Sequence, residues 1–426
     1  MIFSIFLDIL YCIAFVFVSP WLLYGMVKKG KYKDSIKARL GFISEFPRLQ
    51  NCLWVHGVSV GEIKAAQPLV SELKRSFPDR KILLTSTSSN GIKIAKELYK
   101  ECLVVPFPMD FSWSILKYFR HFSPSLIILM ELELWPNFLY WAARKNIPVM
   151  LFNGRLSEKS FKGYSFWFGR LFNRMTKAVK HFAVQNELYA NRFEKLGIPK
   201  EKICITGNMK FDAVFTEKNS LKKEELLKSL GTMDFPVLVA GSTHAPEESI
   251  LLSSYSELLS SFPDLRMILV PRDPQRAEEI AQWARQKQFT VTKRTQIQEG
   301  FFFSPKHVLI VDTIGELSIL YSLAHVVFIG GSLIPHGGQN FIEPAFLGKA
   351  VVCGPYMHNF PDIRIFLEES ALVQLENTQN LTKTLGLLLQ DKEWNKSLGI
   401  KAQKIVQKSQ GCTKKNIDLC LEILKK

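Results

Sequence analysis

The chain has 426 residues, enough for two domains with full hydrophobic cores. Hydrophobic residues make up 47% and charged residues 22%, a composition that excludes a largely disordered chain. The 55 lysines and arginines outnumber the 39 acidic residues, and the net charge of +16 suits nucleic acid, an anionic membrane surface or an acidic substrate. Its seven cysteines and eight histidines form no CxxC pair and no metal-ligand motif, which argues against a disulfide framework and a zinc site.

Residues 2–27 form an almost continuous apolar run, interrupted by Asp8 and followed by lysines within 28–33. A cleavable signal peptide would carry its positive charges first, so we do not expect one. The run is long enough to span a bilayer, and the lysines after it predict that residues 28–426 stay in the cytoplasm. Because a carboxylate is costly in mid-membrane, a helix that lies on the membrane surface is the alternative. Either way, residues 1–27 are predicted to anchor the chain.

From Cys52 onward, short apolar segments alternate with segments whose apolar residues recur at helical spacing. The predicted strands of this half of the chain are 53–56, 82–85, 104–106 and 126–130. Such alternation predicts a parallel, doubly wound sheet, whose ligands bind at the carboxyl ends of the strands. Glu62 and Glu131 each follow a predicted strand, so we expect both carboxylates to point into a ligand site.

Residues 155–182 combine aromatic and basic side chains. Their apolar residues recur at helical spacing: Phe161, Tyr164, Phe168, Leu171, Phe172, Met175 and Val179. One interpretation is a core helix with a solvated basic face. The other is a helix that binds lipid at a membrane surface. The sequence leaves both open.

A charged stretch at 216–235 predicts a linker, and the strand–helix alternation then starts again. The predicted strands of the second half end in polar loops, which we expect to surround a ligand. Three of these loops contain Ser242, Thr243 and His244; Pro271 and Arg272; and Thr313, Ile314 and Gly315.

The fourth of these loops, within 326–345, is the most informative stretch of the chain. A β-branched apolar run ends in one glycine pair, a second pair follows at Gly337 and Gly338, and Asn340 and Glu343 then open another apolar segment. Glycines allow backbone N–H groups to approach an anion closely, and a helix N-terminus favours negative charge. We therefore predict a nucleotide-phosphate site, with Glu343 on a ribose diol. The alternative is that these glycines only form turns.

The fold class predicted from these patterns is α/β. We expect a membrane anchor helix at 1–27, a first Rossmann-like domain at 28–215, a linker at 216–235 and a second Rossmann-like domain at 236–426. Two doubly wound domains that face a cleft, with a nucleotide on the second, suggest the GT-B glycosyltransferase fold. The first domain would then bind the acceptor.

Short motifs along nearly the whole chain resemble those of 3-deoxy-D-manno-octulosonic acid (Kdo) transferases, in the same order. They are WVH (54–56), SVGE (59–62), ELELWPN (131–137), NGR (153–155), GNMKFD (207–212), AGSTH (240–244), PR (271–272), DTIGEL (312–317) and GGSLIPHGGQNFIEP (330–344). The sequence departs from the usual family pattern at Asp273, Gln339, Phe341 and Tyr356, which bears on fine specificity rather than on the reaction.

The resemblance implies an inverting transfer of Kdo from CMP-Kdo to a lipid A precursor (lipid IVA) at the cytoplasmic leaflet of the inner membrane. A second transfer, onto Kdo already added, is left open. No metal ion or cofactor is expected. Glu62 would be the general base, against the alternative that it only stabilises a helix N-terminus, and Glu131 and Lys210 would stabilise the transition state. The implied donor-binding residues are Ser242, Thr243, His244, Pro271, Arg272, Thr313, Ile314, Gly315, Gly337, Gly338, Asn340, Phe341, Ile342 and Glu343.

Two other functions compete with this interpretation. A nucleotide-sugar epimerase has the same GT-B architecture, but its soluble substrate needs no anchor. A nucleic-acid-binding protein is suggested by the net charge of +16 alone, and no nucleic-acid-binding motif supports it. We therefore expect no nucleic-acid partner.

Overall fold

The computed structural model describes residues 4–13, 17, 35–167, 172–214, 226, 230, 235–298 and 301–425. The chain divides into two units. The first unit comprises Met1–Ala213 and Ser409–Lys426, and the second comprises Val214–Lys408.

The described part of the first unit contains a seven-stranded parallel sheet in the order β3-β2-β1-β4-β5-β6-β7. Strands β1, β2 and β5 are buried along their whole length, because helices cover both faces of a doubly wound sheet. The strands are β1 Cys52–His56, β2 Ile82–Ser86, β3 Leu103–Pro106, β4 Pro124–Met130, β5 Val149–Gly154, β6 Val179–Val184 and β7 Ile203–Ile205.

Helices pack on both faces of this sheet, and successive strand residues point to opposite faces. Trp54 enters the core of one face, where it packs edge-on against Phe138, whereas Val55 enters the core of the other face. The helices are α1 Ile36–Arg39, α2 Val60–Ala65, α3 Gln67–Ser76, α4 Ser89–Leu98, α5 Ser112–Phe122, α6 Pro136–Arg144, α7 Glu158–Trp167, α8 Phe172–Met175, α9 Glu187–Lys195 and α10 Lys210–Ala213.

The described part of the second unit also contains a seven-stranded parallel sheet, in the order β10-β11-β9-β8-β12-β13-β14. Its strands are β8 Val237–Thr243, β9 Arg266–Pro271, β10 Thr290–Lys293, β11 His307–Ile310, β12 Val326–Ile329, β13 Ala350–Cys353 and β14 Val373–Gln374. Its helices are α11 Glu247–Leu258, α12 Ala277–Gln286, α13 Leu317–Leu323, α14 Ile342–Phe346, α15 Ile363–Glu368, α16 Leu381–Gln390 and α17 Lys392–Lys408.

Each sheet has a switch point, where the chain direction across the sheet reverses and loops diverge to opposite faces. In the first unit β1 lies between β2 and β4, and in the second unit β8 lies between β9 and β12. Ligands of open α/β sheets bind beside the carboxyl ends of the strands at such points. The loops after β1, β4, β8 and β12 are therefore the ones that position candidate site residues.

The prediction of two parallel α/β units is confirmed, but the second unit does not extend to residue 426. Helix α18, Cys412–Leu424, packs in the first unit against α3. It does so because Cys412, Ile417 and Cys420 are buried in the same core cluster as Val55. The sequence could not indicate this return, since an amphipathic helix can cover either sheet.

The stretch 155–182 is not one continuous helix in its described part. Helices α7 and α8 are followed by strand β6, so Val179 belongs to a strand and not to a helical stripe. Phe172 and Met175 are buried in the core of the first unit, and Phe161 and Tyr164 pack against that core. The core interpretation therefore holds for these four side chains.

The predicted anchor and linker fall mostly outside the described residues. Within 1–27 the structure describes only 4–13, which are helical, and residue 17. The lysines within 28–33, and most of 216–235, are outside the described residues. Over the part of the chain that is described, no helix is long and apolar enough to cross a membrane.

Candidate active site

The loop between β1 and α2 holds Glu62 in a capping box at the start of the helix. The Ser59 Oγ accepts a hydrogen bond from the Glu62 N–H at 3.2 Å, and the Glu62 carboxylate accepts from the Ser59 N–H at 3.3 Å. The carboxylate also accepts from the Val58 N–H at 2.8 Å and from the Ser59 hydroxyl at 2.9 Å. Glu62 therefore does fill the structural role of a helix-capping carboxylate.

The electrostatic surroundings give Glu62 a second property. Burial, which leaves it 8% exposed, and the neighbouring charges of Glu131 and Glu133 raise its pKa to about 7, although the bonds from Val58 and Ser59 oppose the rise. A carboxylate with such a pKa binds a proton far better than an ordinary glutamate, which is the property that a general base requires near neutral pH. Capping and basicity therefore coexist in one side chain.

Glu131 lies directly after β4, at the switch point beside Glu62. Its φ of 57° is in the left-handed region, and its N–H donates to the Phe152 carbonyl at 2.9 Å. The next acidic residue of this loop, Glu133, accepts a hydrogen bond from Trp135 Nε1 at 3.0 Å, and burial raises its pKa. The structure thus brings Glu131, which was predicted, together with Glu133, which was not assigned a role.

His56 lies beside this acidic group, although the sequence analysis did not single it out. It ends β1 and is fully buried, and its Nδ1 lies 3.1 Å from the Thr85 carbonyl oxygen. Burial lowers its pKa to about 3, so the ring is neutral. The Nε2 lies 4.0 Å from a Glu133 oxygen and has no hydrogen-bond partner among the described residues. The signal available in the sequence was its place at the end of the strand that precedes Glu62.

Lys210 begins the short helix α10, which contacts the helix of Glu62. Two asparagines fix the start of α10: the Asn208 side chain accepts from the Lys210 N–H at 3.0 Å, and the buried Asn153 side chain accepts from the Met209 N–H at 3.0 Å. The three predicted catalytic residues, Glu62, Glu131 and Lys210, are thus carried by neighbouring segments of the first unit.

In the second unit the four predicted loops follow strands that are consecutive in the sheet, in the order β11-β9-β8-β12. Ser242, at the end of β8, has a φ of 56°, and Thr243 beside it is buried. Gly330 comes so close to this strand end that a Cβ atom there would lie 2.3 Å from the Ser242 carbonyl oxygen. Only glycine allows this approach of β12 to β8.

The first glycine pair was predicted to lie at a nucleotide phosphate, and the structure places a protein carboxylate against it. Glu247 accepts hydrogen bonds from the N–H groups of Gly331 at 2.6 Å and of Ser332 and Leu333 at 2.9 Å. The Gly330 N–H donates to the Gly241 carbonyl at 2.9 Å. These backbone groups are therefore already bonded within the chain.

The second glycine pair forms a tight turn that packs against the loop at 356–360. Gly337 and Gly338 have φ angles of 101° and 77°, and the Gly338 N–H donates to the Gly331 carbonyl at 2.7 Å. A Cβ at either position would collide with Asn359 or Met357. The turn-forming interpretation thus applies to this pair.

Helix α14 follows this turn, and the residues at its start differ in burial. Asn340 lies just before the helix, accepting from the Ile342 N–H at 3.0 Å and donating from Nδ2 to Glu343 at 2.9 Å. The side chains of Phe341 and Ile342 are fully buried, and Phe341 packs against Phe366. Of the predicted donor residues, these two can therefore offer only backbone groups to a ligand, whereas Glu343 is half-buried.

The loops after β8, β9 and β12 bring several nitrogen-bearing side chains together. The rings of His244 and His336 lie 4.2 Å apart, and Gln339 Nε2 lies 3.0 Å from His244 Nε2. Burial, together with the charges of His336, Arg272 and Arg276, lowers the pKa of His244 to about 4. A neutral imidazole in a cationic environment suits an anionic ligand. Pro271 is buried at the end of β9, while Arg272 is exposed.

The loop after β11 completes the row of strand ends. Asp312 accepts from the Thr295 N–H at 3.0 Å, and Thr313 donates its hydroxyl hydrogen to Glu316. Ile314 is 80% exposed and Gly315 has a φ of 96°, so both are accessible at the tip of the loop. The side chains of Asp312 and Thr313 therefore bond to Thr295 and Glu316 within the protein, whereas the Ile314 side chain is accessible to a ligand.

Both units have the architecture of known nucleotide-sugar enzymes. The solved UDP-GlcNAc 2-epimerase from Neisseria meningitidis bound to UDP-GlcNAc aligns with a TM-score of 0.57 and 16% identity, covering 84% of this chain and 98% of that chain. At this identity the likeness shows the fold alone. The molecule thus has two parallel-sheet units of the kind found in the GT-B class.

Sequence comparison identifies the family within that class. A family model described as 3-deoxy-D-manno-octulosonic-acid transferase matches residues 34–213. The 3-deoxy-D-manno-octulosonic acid transferase of Haemophilus influenzae is 32% identical over 398 residues, covering 92% of each chain. The Rickettsia felis enzyme of the same name is 32% identical over 360 residues, covering 83% of this chain and 74% of that protein. This chain therefore belongs to the Kdo transferase family, and the predicted enzyme class, a glycosyltransferase, is confirmed.

Proposed function

We propose that the enzyme transfers Kdo from CMP-Kdo to a lipid A precursor with inversion, and that Glu62 is its general base. The observation that carries the proposal is a buried carboxylate at the switch point of the first sheet whose pKa is raised to about 7. The acceptor hydroxyl loses its proton to this carboxylate as its oxygen bonds to the anomeric carbon of Kdo. The bond from that carbon to the CMP phosphate breaks, and CMP leaves with the electron pair.

Glu131 and Lys210 are proposed to stabilise this transition state. The sugar gains positive, oxocarbenium-like character, which a carboxylate such as that of Glu131 offsets, and the leaving phosphate gains negative charge, which an ammonium group offsets. Support comes from their placement, since Glu131 is close enough to raise the pKa of Glu62 and the helix of Lys210 contacts the helix of Glu62.

The four strand ends of the second unit are proposed to bind CMP-Kdo. The grouping of Arg272 and Arg276 around His244 supports this, because such a cluster matches a nucleotide phosphate and a sugar carboxylate. Glu343, which accepts from Asn340, is proposed to bind the ribose hydroxyls. Buried Phe341 and Ile342 contribute only through the backbone at 341–342.

Membrane association is proposed to be monotopic, with the catalytic units on the cytoplasmic side. Two polar residues of the helical segment 4–13 bond to the rest of the first unit: Asp8 accepts from the Ser112 N–H at 2.9 Å, and the Tyr11 hydroxyl donates to Asp110 at 3.0 Å. These bonds answer the objection that Asp8 is costly in lipid, because its carboxylate is already bonded to protein. The opposite face exposes apolar side chains, with Phe6 62% exposed, and such a face suits insertion into the interfacial region of a bilayer.

The test is an assay of purified enzyme with CMP-Kdo, with and without a lipid A precursor, read by CMP release and by mass spectrometry of the lipid. We expect CMP release that depends on the lipid and a product heavier by one or more Kdo residues. Conversion of the nucleotide sugar without any acceptor would favour an epimerase. Absence of both reactions would contradict the proposed function.

A further inference from the structure

Glu247 is a buried carboxylate that no step of the proposed reaction uses. It is the first residue of α11, its side chain is 0% exposed, and both of its oxygens are fully bonded. Oε1 accepts from the N–H groups of Ser332 and Leu333, both at 2.9 Å, and Oε2 accepts from those of Gly331 at 2.6 Å and His244 at 3.0 Å.

These bonds are strong because the acceptor is charged and shielded from water. Hydrogen bonds to an ionised group are roughly twice as strong as those between neutral groups. Burial raises the pKa of Glu247 overall, although the four N–H groups that it accepts from oppose the rise. A carboxylate that accepts from so many donors acts as a fixed ion within the fold.

The bonds join the two strand ends at the switch point of the second sheet. His244 follows β8, and 331–333 follow β12, the neighbouring strand. Ser332 extends the connection to the next strand, because its Oγ accepts from the Gly354 N–H, just after β13, at 2.8 Å. Movement of the Glu247 side chain would therefore disturb three adjacent strand-end loops together.

We propose that Glu247 is a positioning residue of the donor site. It acts as a built-in anion that holds His244 and the loop at 331–333 in the geometry required for nucleotide binding before the nucleotide arrives. This inference rests on the proposed function, in which these loops bind the donor. It also implies that the N–H groups of 331–333 bind Glu247 and not the donor phosphate, so the phosphate is bound by other groups of these loops.

Glu247→Gln tests the proposal because the amide keeps the shape but removes the charge and replaces one acceptor oxygen with a donor. We expect the KM for CMP-Kdo and the Kd for CMP to rise about tenfold or more, which is about 1.4 kcal/mol, while kcat at saturating donor changes less than about threefold. Glu247→Asp keeps the charge on a shorter side chain, so we expect an effect smaller than that of the glutamine variant. Asp391→Asn is the matched control. It removes another carboxylate that accepts a backbone N–H, from Trp394 at 2.8 Å. This carboxylate lies away from the proposed donor site, because the neighbouring Asn395 bonds to the His325 carbonyl at the opposite end of β12.

Hydrogen exchange of wild-type protein provides a readout that needs neither the variants nor the reaction. We expect slow exchange of the amides at 331–333 without nucleotide and little change when CMP is added. Fast exchange that CMP alone slows would overturn the proposal, as would a folded Glu247→Gln enzyme with normal affinity for CMP. If the wild type binds CMP through a preordered loop yet transfers no Kdo, the proposed function fails and the positioning role stands.

Discussion

Each unit has a buried glutamate shortly after the first strand of its sheet, but the two carboxylates have different surroundings. Glu62 follows the first strand of the first sheet, and Glu247 follows the first strand of the second. Glu247 accepts four backbone N–H groups and carries no close acidic neighbour among the causes of its pKa shift, whereas Glu62 lies close enough to Glu131 and Glu133 for their charges to raise its pKa. The comparison teaches that the neighbours of a buried carboxylate decide whether it holds the structure or accepts a proton.

The largest expected effect comes from Glu62→Gln, which preserves the shape of the capping side chain and removes its basicity. We expect turnover to fall by ~10²–10⁴-fold, as is typical of a lost general base, with CMP affinity and folding retained. Steady-state kinetics and calorimetry measure both. Glu72→Gln, which loses only an exposed ion pair with Arg75, is the control and should have normal turnover. If the two variants turned over equally well, Glu131 would become the candidate base.

A smaller effect, on nucleotide affinity, is expected from a substitution of Glu343 in the second unit. Glu343→Ala removes the proposed acceptor for ribose hydroxyls, and each lost charge-assisted bond costs about 1.5–3 kcal/mol. The Kd for CMP should therefore rise by about tenfold or more, as measured by calorimetry. The Kd for the cytosine base alone, which lacks the ribose, should be unchanged in Glu343→Ala. Unchanged CMP affinity would remove Glu343 from the donor site.

Glu131→Gln tests whether acidic neighbours set the pKa of Glu62, because it makes the surroundings of Glu62 less negative. Because the Glu131 charge raises the pKa of Glu62, its removal should lower that pKa and allow the base to remain deprotonated at lower pH. The acidic limb of kcat/KM, measured on the residual activity, should then move to lower pH. A limb that stayed in place or moved to higher pH would show that Glu131 does not act on the essential base.

The smallest effect is expected in the N-terminal helical segment. Tyr11→Phe deletes the hydrogen bond to Asp110 and should lower the free energy of unfolding by about 1 kcal/mol, which denaturant titration can measure. Phe6→Ser, at an exposed position, should leave stability unchanged but reduce binding to anionic vesicles. The reverse pattern, with Tyr11→Phe neutral and Phe6→Ser destabilising, would mean that the segment is docked in another orientation.

Much of the sheet architecture could be predicted because its strands are short apolar runs between turn-forming residues. Strand β6 was missed because Val179 continues the helical spacing of the residues before it, and only its pairing with Val149 of β5 identifies it as a strand residue. The C-terminal helix was misassigned because its own sequence specifies an apolar face but not the sheet that it covers.

The site could be predicted less completely than the fold. Glu62 and Glu131 could be proposed from the sequence because each comes shortly after a strand. Glu247 was missed because a glutamate at a helix start has an ordinary explanation, and its partners at 331–333 lie more than eighty residues further along the chain. The first glycine pair suggested a nucleotide phosphate, because sequence cannot distinguish a phosphate-binding loop from one whose N–H group donates to a protein carboxylate.

The central claim is that Glu62 is a proton acceptor with a pKa near neutrality, and the titration of its carboxyl group tests this most directly. The measurement is ¹³C NMR of glutamate-labelled enzyme, with the Glu62 signal assigned by its loss in Glu62→Gln, alongside the pH profile of kcat/KM. We predict a midpoint of about 7 that coincides with the acidic limb of the profile. A midpoint at the ordinary glutamate value of 4.5, with the acidic limb elsewhere, would contradict the assignment of Glu62 as the base.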